Sequence, residues 1–265
     1  MAVCNRTTKQ VFCFACLIFL CLPSLSCVVK KPAVQPDSVS CANFPASFFD
    51  PLDKEDVLTA LAEITVITRH VSYPAKVALM MKRPSYIRME RIPIIGVSDF
   101  LFTATPDTMN IFIPSQGVLY RGKPTRDNLK KFLPWSIPVE DMVMIFTGAC
   151  PFGQDRVVRC PNFQGGSDRC GEMKAPSGQF QTICINDRNQ LSRFVRKDLT
   201  GDELYRVKYV YTEDAGHFPQ QIIIQTGDGS TSLSIKYSDV SIDQSADLSA
   251  FNLVVPDDVQ TMTME

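Results

Sequence analysis

Between residues 182 and 243 the sequence is a succession of short segments in which apolar and polar residues alternate: "TICIND", "QLSRFVRKD", "LYRVKYVYTED", "PQQIIIQTGDG" and "STSLSIKYSDVSI". Successive side chains of a strand point to opposite faces. A period of two therefore puts Tyr205, Val207, Tyr209 and Tyr211 on one face, and Leu233, Ile235 and Tyr237 on one face of another strand. "TGDGST" supplies the turn of a hairpin. A chain patterned this way is constrained to an antiparallel sheet with one face on a core and one on solvent.

The first half carries the same signal. In "KVALMMKRPSYIRMERI", Val77, Leu79 and Met81 alternate with Ala78, Met80 and Lys82; after the Arg83-Pro84-Ser85 turn, Ile87 and Met89 alternate with Arg88 and Glu90. "SDFLFTA", "MNIFIP" and "VLYRG" read as further strands, separated by the turns "TPDT" and "PSQG". The period lengthens in three places. "DKEDVLTALAEI" fits a helix with Asp53 as its cap and Val57, Leu58, Leu61 and Ile64 on one face; "TRDNLKKFL" fits a second. "IPVEDMVMIFTG" fits a third, with Pro138, Glu140 and Asp141 near its start and Gly148 at its end. Its apolar residues Val139, Met142, Val143, Ile145 and Phe146 exceed what one helix face needs. The expectation is a mainly β domain of about eleven antiparallel strands, with a helix at its start and a greasy helix in its middle that covers something.

Three sections organise the chain: residues 1–27, 28–51 and 52–265. After Arg6 and Lys9 comes "VFCFACLIFLCLPSLSC", too short for a comfortable membrane span of ~20 residues and shaped like an export signal. Ser26 before Cys27 suits a bacterial lipoprotein signal peptidase, although Ser24 and Leu25 depart from the usual box; acylation at Cys27, simple secretion and an uncleaved anchor are the three readings, in that order. Acylation would leave enough chains, palmitate-like in length, for stable anchoring. The stretch from Val28 to about Pro51 is proline-rich and aperiodic, a tether.

Of ten cysteines, five lie in or at the end of the signal. Cys150, Cys160, Cys170 and Cys184 fall in or beside a loop-rich insertion near 150–184 and suffice for two disulfides with three possible connectivities, leaving Cys41 over. Their spacing does not suit zinc, and the residues imply no metal and no cofactor. A formal charge of -1 gives nucleic acid no purchase. Without a nucleophile elbow, a zinc-protease motif or a phosphate loop, the pattern is not that of an enzyme.

Taken in order, these segments resemble the Lol lipoprotein-localisation family, whose members are a periplasmic carrier (LolA) and an outer-membrane receptor (LolB). "KRPSYIRME" is similar to the hairpin after the first strand, "IPIIGVSDFLFTA" to the receptor's projecting loop and following strand, and "TPDTMNIFIPSQGVLYRG" to a strand pair found in both. "SIPVEDMVMIFTG" is similar to the receptor's lid helix, and "DLSAFNLVVPDDV" to the carrier's C-terminal segment. The likeness is good from Asp53 to Gly148 and looser beyond. It implies an incomplete β-barrel closed by helices around a hydrophobic cavity for lipoprotein acyl chains, closer to the receptor than to the carrier. Its partners would be those acyl chains, a periplasmic carrier protein and membrane lipid. The implied location is the outer membrane, lipid-anchored and facing the periplasm.

On that resemblance Val139, Met142, Val143, Ile145 and Phe146 form the lid. Met80, Met81, Met89 and Met109, together with Met142 and Met144, line the cavity or are ordinary core. Ile94 and Ile95, between Pro93 and Gly96, either form a membrane-inserting tip or tuck under the barrel edge. Arg88 either supports the lid or pairs with Glu90. The scaffold also suits a lipoprotein that senses or binds lipid, or serves in assembly, without passing cargo on.

Overall fold

A computed structural model describes residues 52–265 except 54, 70, 97, 134, 136, 152–156, 160–167, 175–177, 214–217 and 245–246, and gives only the backbone for 157–159 and 174. The candidate anchor Cys27, the tether, Cys41, Cys160 and both histidines lie outside the described residues.

Among the described residues fourteen strands form one open sheet. The first six are β1 (Val57–Thr68), β2 (Ser72–Lys82), β3 (Tyr86–Arg91), β4 (Leu101–Ala104), β5 (Met109–Ile113) and β6 (Val118–Gly122). After two helices come β7 (Val157–Arg159), β8 (Arg169–Lys174), β9 (Phe180–Ile185), β10 (Leu191–Lys197), β11 (Glu203–Val210), β12 (Gln221–Thr226), β13 (Thr231–Asp243) and β14 (Gln260–Met264). The spatial order is β14-β6-β5-β4-β3-β2-β1-β13-β12-β11-β10-β9-β8-β7. Two antiparallel meanders are thus joined by the long pair β1–β13, and β14 runs parallel to β6 at one edge. The sheet curls without closing, an incomplete barrel.

Every one of the ten segments with a clear period of two is a strand. The rest differ from expectation. Val57–Thr68 is a strand, not a helix. Leu58, Ala60, Ala62 and Ile64 face inward on alternate positions, and Leu61, assigned to the buried face of a helix, is 43% exposed. The helix preference of Ala, Leu and Glu is worth a few tenths of a kcal/mol per residue. It yields here to backbone pairing on both sides, with β2 and β13. The acids before it close a turn instead of a helix: the Asp53 amide donates to Asp56 Oδ2 at 2.8 Å. Further strands beyond the expected count come from the insertion, which adds β7 and β8, and from the C-terminus, which adds β14.

Among the described residues the two α-helices are α1 (Arg126–Lys130), capped by Thr125, whose hydroxyl accepts from the Asn128 amide, and α2 (Val139–Phe146), with Glu140 and Asp141 in its first turn. Gly148 ends the second in the left-handed region, φ +77°, where a β-carbon would come within 2.9 Å of Pro219. The core is one apolar cluster made jointly by the sheet's inward side chains and by α2.

Candidate functional site

The inward face of the sheet is where α2 lies. Val139, Met142, Val143, Ile145 and Phe146 are 0–2% exposed, packed in the same cluster as Met81, Met89 and Met109. The greasy helix packs its own apolar side chains among the sheet's inward ones in one cluster. Met80 does not belong with that lining: neighbours on a strand point to opposite faces, and Met80 borders a cleft of about 370 Å³ on the outward side, with Thr59, Leu61 and Ala78.

Four polar side chains from the sheet hold α2 and the turn after it. At its first turn Asp141 Oδ2 accepts from Arg196 Nη2 at 2.9 Å and from the Tyr205 hydroxyl at 2.7 Å, all three residues being buried. At its far end the Tyr237 hydroxyl donates to the carbonyl of Phe146 at 2.7 Å, and the Tyr209 hydroxyl to that of Ala149 at 2.9 Å. The last carbonyls of a helix have no partner within it, and these hydroxyls supply one. Burial raises the Asp141 carboxyl above its ordinary value, against the opposing pull of Arg196 and Tyr205. The phenols of Tyr205, Tyr209 and Tyr237 are likewise pushed up by burial and stay protonated donors.

None of these pins was read from the sequence. Asp141 was legible only as a helix-start acid. The available signal was three tyrosines at inward positions of β11 and β13, because a buried phenol needs an acceptor.

Ile94 and Ile95 stand in the β3–β4 connection and are 101% and 90% exposed, so they do not tuck under the sheet edge. The loop is fastened below them: Arg91 Nη1 meets Asp99 Oδ2 at 2.5 Å, and the Arg91 amide donates to the Phe100 carbonyl at 3.0 Å. Arg88 pairs with Glu90 and also donates from Nη1 to the Ala250 carbonyl at 2.8 Å, tying β3 to the 3-10 turn Leu248–Phe251 and not to α2.

Cys170 and Cys184 face each other across β8 and β9 and form a disulfide. Cys150 is fully buried just after α2, and Cys160, the fourth of the candidate cysteines, lies outside the described residues. Among the described residues no group of three or more His, Cys, Asp or Glu is arranged to hold a metal, and no helix is long and apolar enough to cross a membrane.

No protein-family model and no curated protein matches the sequence. Solved structures do match. A domain assigned to outer membrane lipoprotein-sorting proteins, from Vibrio parahaemolyticus, aligns with a TM-score of 0.52 at 14% identity, covering 74% of this chain and 89% of that one. A DUF1329 family protein from Desulfovibrio piger aligns with a TM-score of 0.57 at 12% identity, covering 78% and 94%. A LolA superfamily protein from Nitrosomonas europaea aligns with a TM-score of 0.52 at 12% identity, covering 75% and 90%. Together with the open curled sheet and the helix on its inward face, these alignments give the chain the LolA-type fold of lipoprotein-sorting domains.

Proposed function

We propose that this protein is a lipid-anchored carrier or receptor, tethered to the outer membrane through Cys27, that accepts the acyl chains of lipoproteins in place of α2 and helps insert them into that membrane. The observation that carries the reading is the apolar helix seated on the inward face of an open sheet and held by a handful of polar contacts. Magnitudes support an exchange. One sixteen-carbon chain is worth about 12 kcal/mol of transfer free energy at ~0.8 kcal/mol per methylene. Five fully buried apolar side chains, at about 1.5–3 kcal/mol each, represent a comparable sum. Helix and acyl chain can therefore compete for the same surface without either winning outright, which binding followed by release requires. Met81, Met89 and Met109 beneath α2 suit a lining that must repack around different guests. The bare Ile94–Ile95 tip gives the same molecule a place to touch a membrane.

The test is a transfer assay. The full chain is reconstituted in liposomes, and an acylated lipoprotein is offered on a soluble carrier. Appearance of cargo in the bilayer at a rate that depends on the chain supports the proposal. Cargo taken up but retained supports a sensor or assembly lipoprotein on the same scaffold, and no uptake overturns both. Mass spectrometry of Cys27→Ser checks the anchor, which predicts loss of a lipid-sized increment.

A further inference from the structure

The outward face of β10 and β11 carries a charge arrangement that cargo binding on the inward face does not use. Arg193 and Lys208 are direct register partners on these neighbouring strands, both exposed, and Arg206 stands two residues from Lys208 on the same face. Like charges set opposite each other across strands destabilise a sheet. The nearby acids do not relieve them. Glu203 is engaged by Arg206, at 2.6 Å to Nε and 3.0 Å to Nη2. Asp168 accepts from the Ser192 hydroxyl at 2.7 Å. Among the described residues Arg193 Nη2 reaches only the disulfide sulfurs, 3.3 Å from Cys184 Sγ and 3.8 Å from Cys170 Sγ, and sulfur is a weak acceptor that does little to compensate the charge. Lys208 makes no ion pair or hydrogen bond among the described residues.

Arg193, Arg206 and Lys208 border a cleft of about 640 Å³, whose rim also includes Ser192, the Gln225 amide and the Asp168 carboxylate. That is far more than a bare ion fills, given the ~30 Å³ share of a water molecule. Arg193 is set by its contact with the cross-strand disulfide, so the insertion's β8 strand helps to build the site. Two facing cations, with the Arg206–Glu203 pair alongside, and a roomy polar rim match a tetrahedral dianion or diester with an organic substituent.

We propose that this cleft binds a phosphate-bearing anion, either a phospholipid headgroup or a free phosphate. The proposal is independent of acyl-chain transfer, because the cleft lies on the opposite side of the sheet from α2.

The test uses the full chain in a non-ionic, phosphate-free detergent, titrated with inorganic phosphate and, separately, with glycerophosphoglycerol, at ionic strength matched by chloride. Binding is read by calorimetry and by thermal unfolding. At least one probe is expected to bind and to raise the Tm. The double variant R193Q/K208Q is expected to lose about tenfold or more in affinity. Its Tm without ligand should equal or exceed that of the parent, since repulsion is relieved, which also shows that the variant folds. The exposed Lys236→Gln on β13 serves as the charge control and should bind as the parent does. A response to phosphate alone identifies a free-phosphate site, and a response to the glycerol diester identifies a headgroup site. The proposal is overturned if neither probe exceeds chloride, or if R193Q/K208Q binds no more weakly than Lys236→Gln.

Discussion

Tyr237 on β13 donates its hydroxyl to the carbonyl oxygen of Phe146, the last residue of α2, at 2.7 Å across a sequence separation of 91 residues. Tyr209 does the same for Ala149 at a separation of 60. These bonds belong to the docked helix alone; in an undocked one the carbonyls would face water. Removing either phenol leaves a buried carbonyl short of a donor, at a cost of about 1 kcal/mol. Tyr237→Phe and Tyr209→Phe are each expected to speed amide exchange in α2 about fivefold, and the double variant more, with exchange in β1 and β13 little changed. Hydrogen-exchange mass spectrometry checks this. Uniform acceleration across the sheet would mean that α2 is part of the global fold and does not open by itself.

Asp141 makes the docking sensitive to pH, with a definite sign. Its carboxyl is raised in the docked state, chiefly by burial, with Arg196, Tyr205 and Arg126 opposing. In an undocked helix it would return to the ordinary value of about 3.9. The docked state therefore holds the proton more tightly. Docking is strongest below the ordinary value and weakens as pH rises through the raised one. Exchange protection of α2, corrected for intrinsic rates, should be greatest in acid and decline toward neutrality, and Asp141→Asn should abolish the trend. Protection that grew with pH would mean the Arg196 ion pair outweighs burial.

The strands were legible because their signal is local: a period of two survives whatever a strand pairs with, as in Tyr205, Val207 and Tyr209. What failed was decided at a distance. Leu58, Leu61 and Ile64 satisfy a helical face, while Leu58, Ala60, Ala62 and Ile64 satisfy a strand, and only the availability of β2 and β13 on both flanks selects the second. Met80 and Met81 could not both line one pocket, a consequence of the pleat that the sequence already contained. The pairing of Asp141 with Arg196, 55 residues apart, had no local trace. The greasy character of α2 was plain, but that its side chains join one cluster with the sheet's inward face required the packing.

Gly148 ends α2 at φ +77° with Pro219 against it, whereas Gly117, at φ +63°, has open space around its missing β-carbon. Alanine at either position pays the left-handed penalty of about 1–2 kcal/mol. Only at Gly148 must it also push aside a proline ring 2.9 Å away. Gly148→Ala is expected to lower the Tm more than Gly117→Ala, and to loosen α2 in the exchange experiment. Equal losses would show that Pro219 gives way freely.

Ile94 and Ile95 are exposed almost completely on a loop whose base is locked by Arg91 and Asp99. Since neither side chain contributes to the core, Ile95→Glu should leave the Tm and cargo binding unchanged. Inserting one isoleucine into a bilayer is worth about 1.5–3 kcal/mol, and a glutamate forfeits that and adds a desolvation cost. Delivery of cargo to liposomes should therefore fall about tenfold or more, since 1.4 kcal/mol is a factor of ten. Ile95→Ser should fall by an intermediate amount, because serine loses the same apolar gain without introducing a charge. The ordering parent, Ile95→Ser, Ile95→Glu in a transfer assay, at constant cargo binding, is what a membrane-touching tip requires. Equal delivery by all three would mean the loop is a bystander and that release is governed by α2 alone.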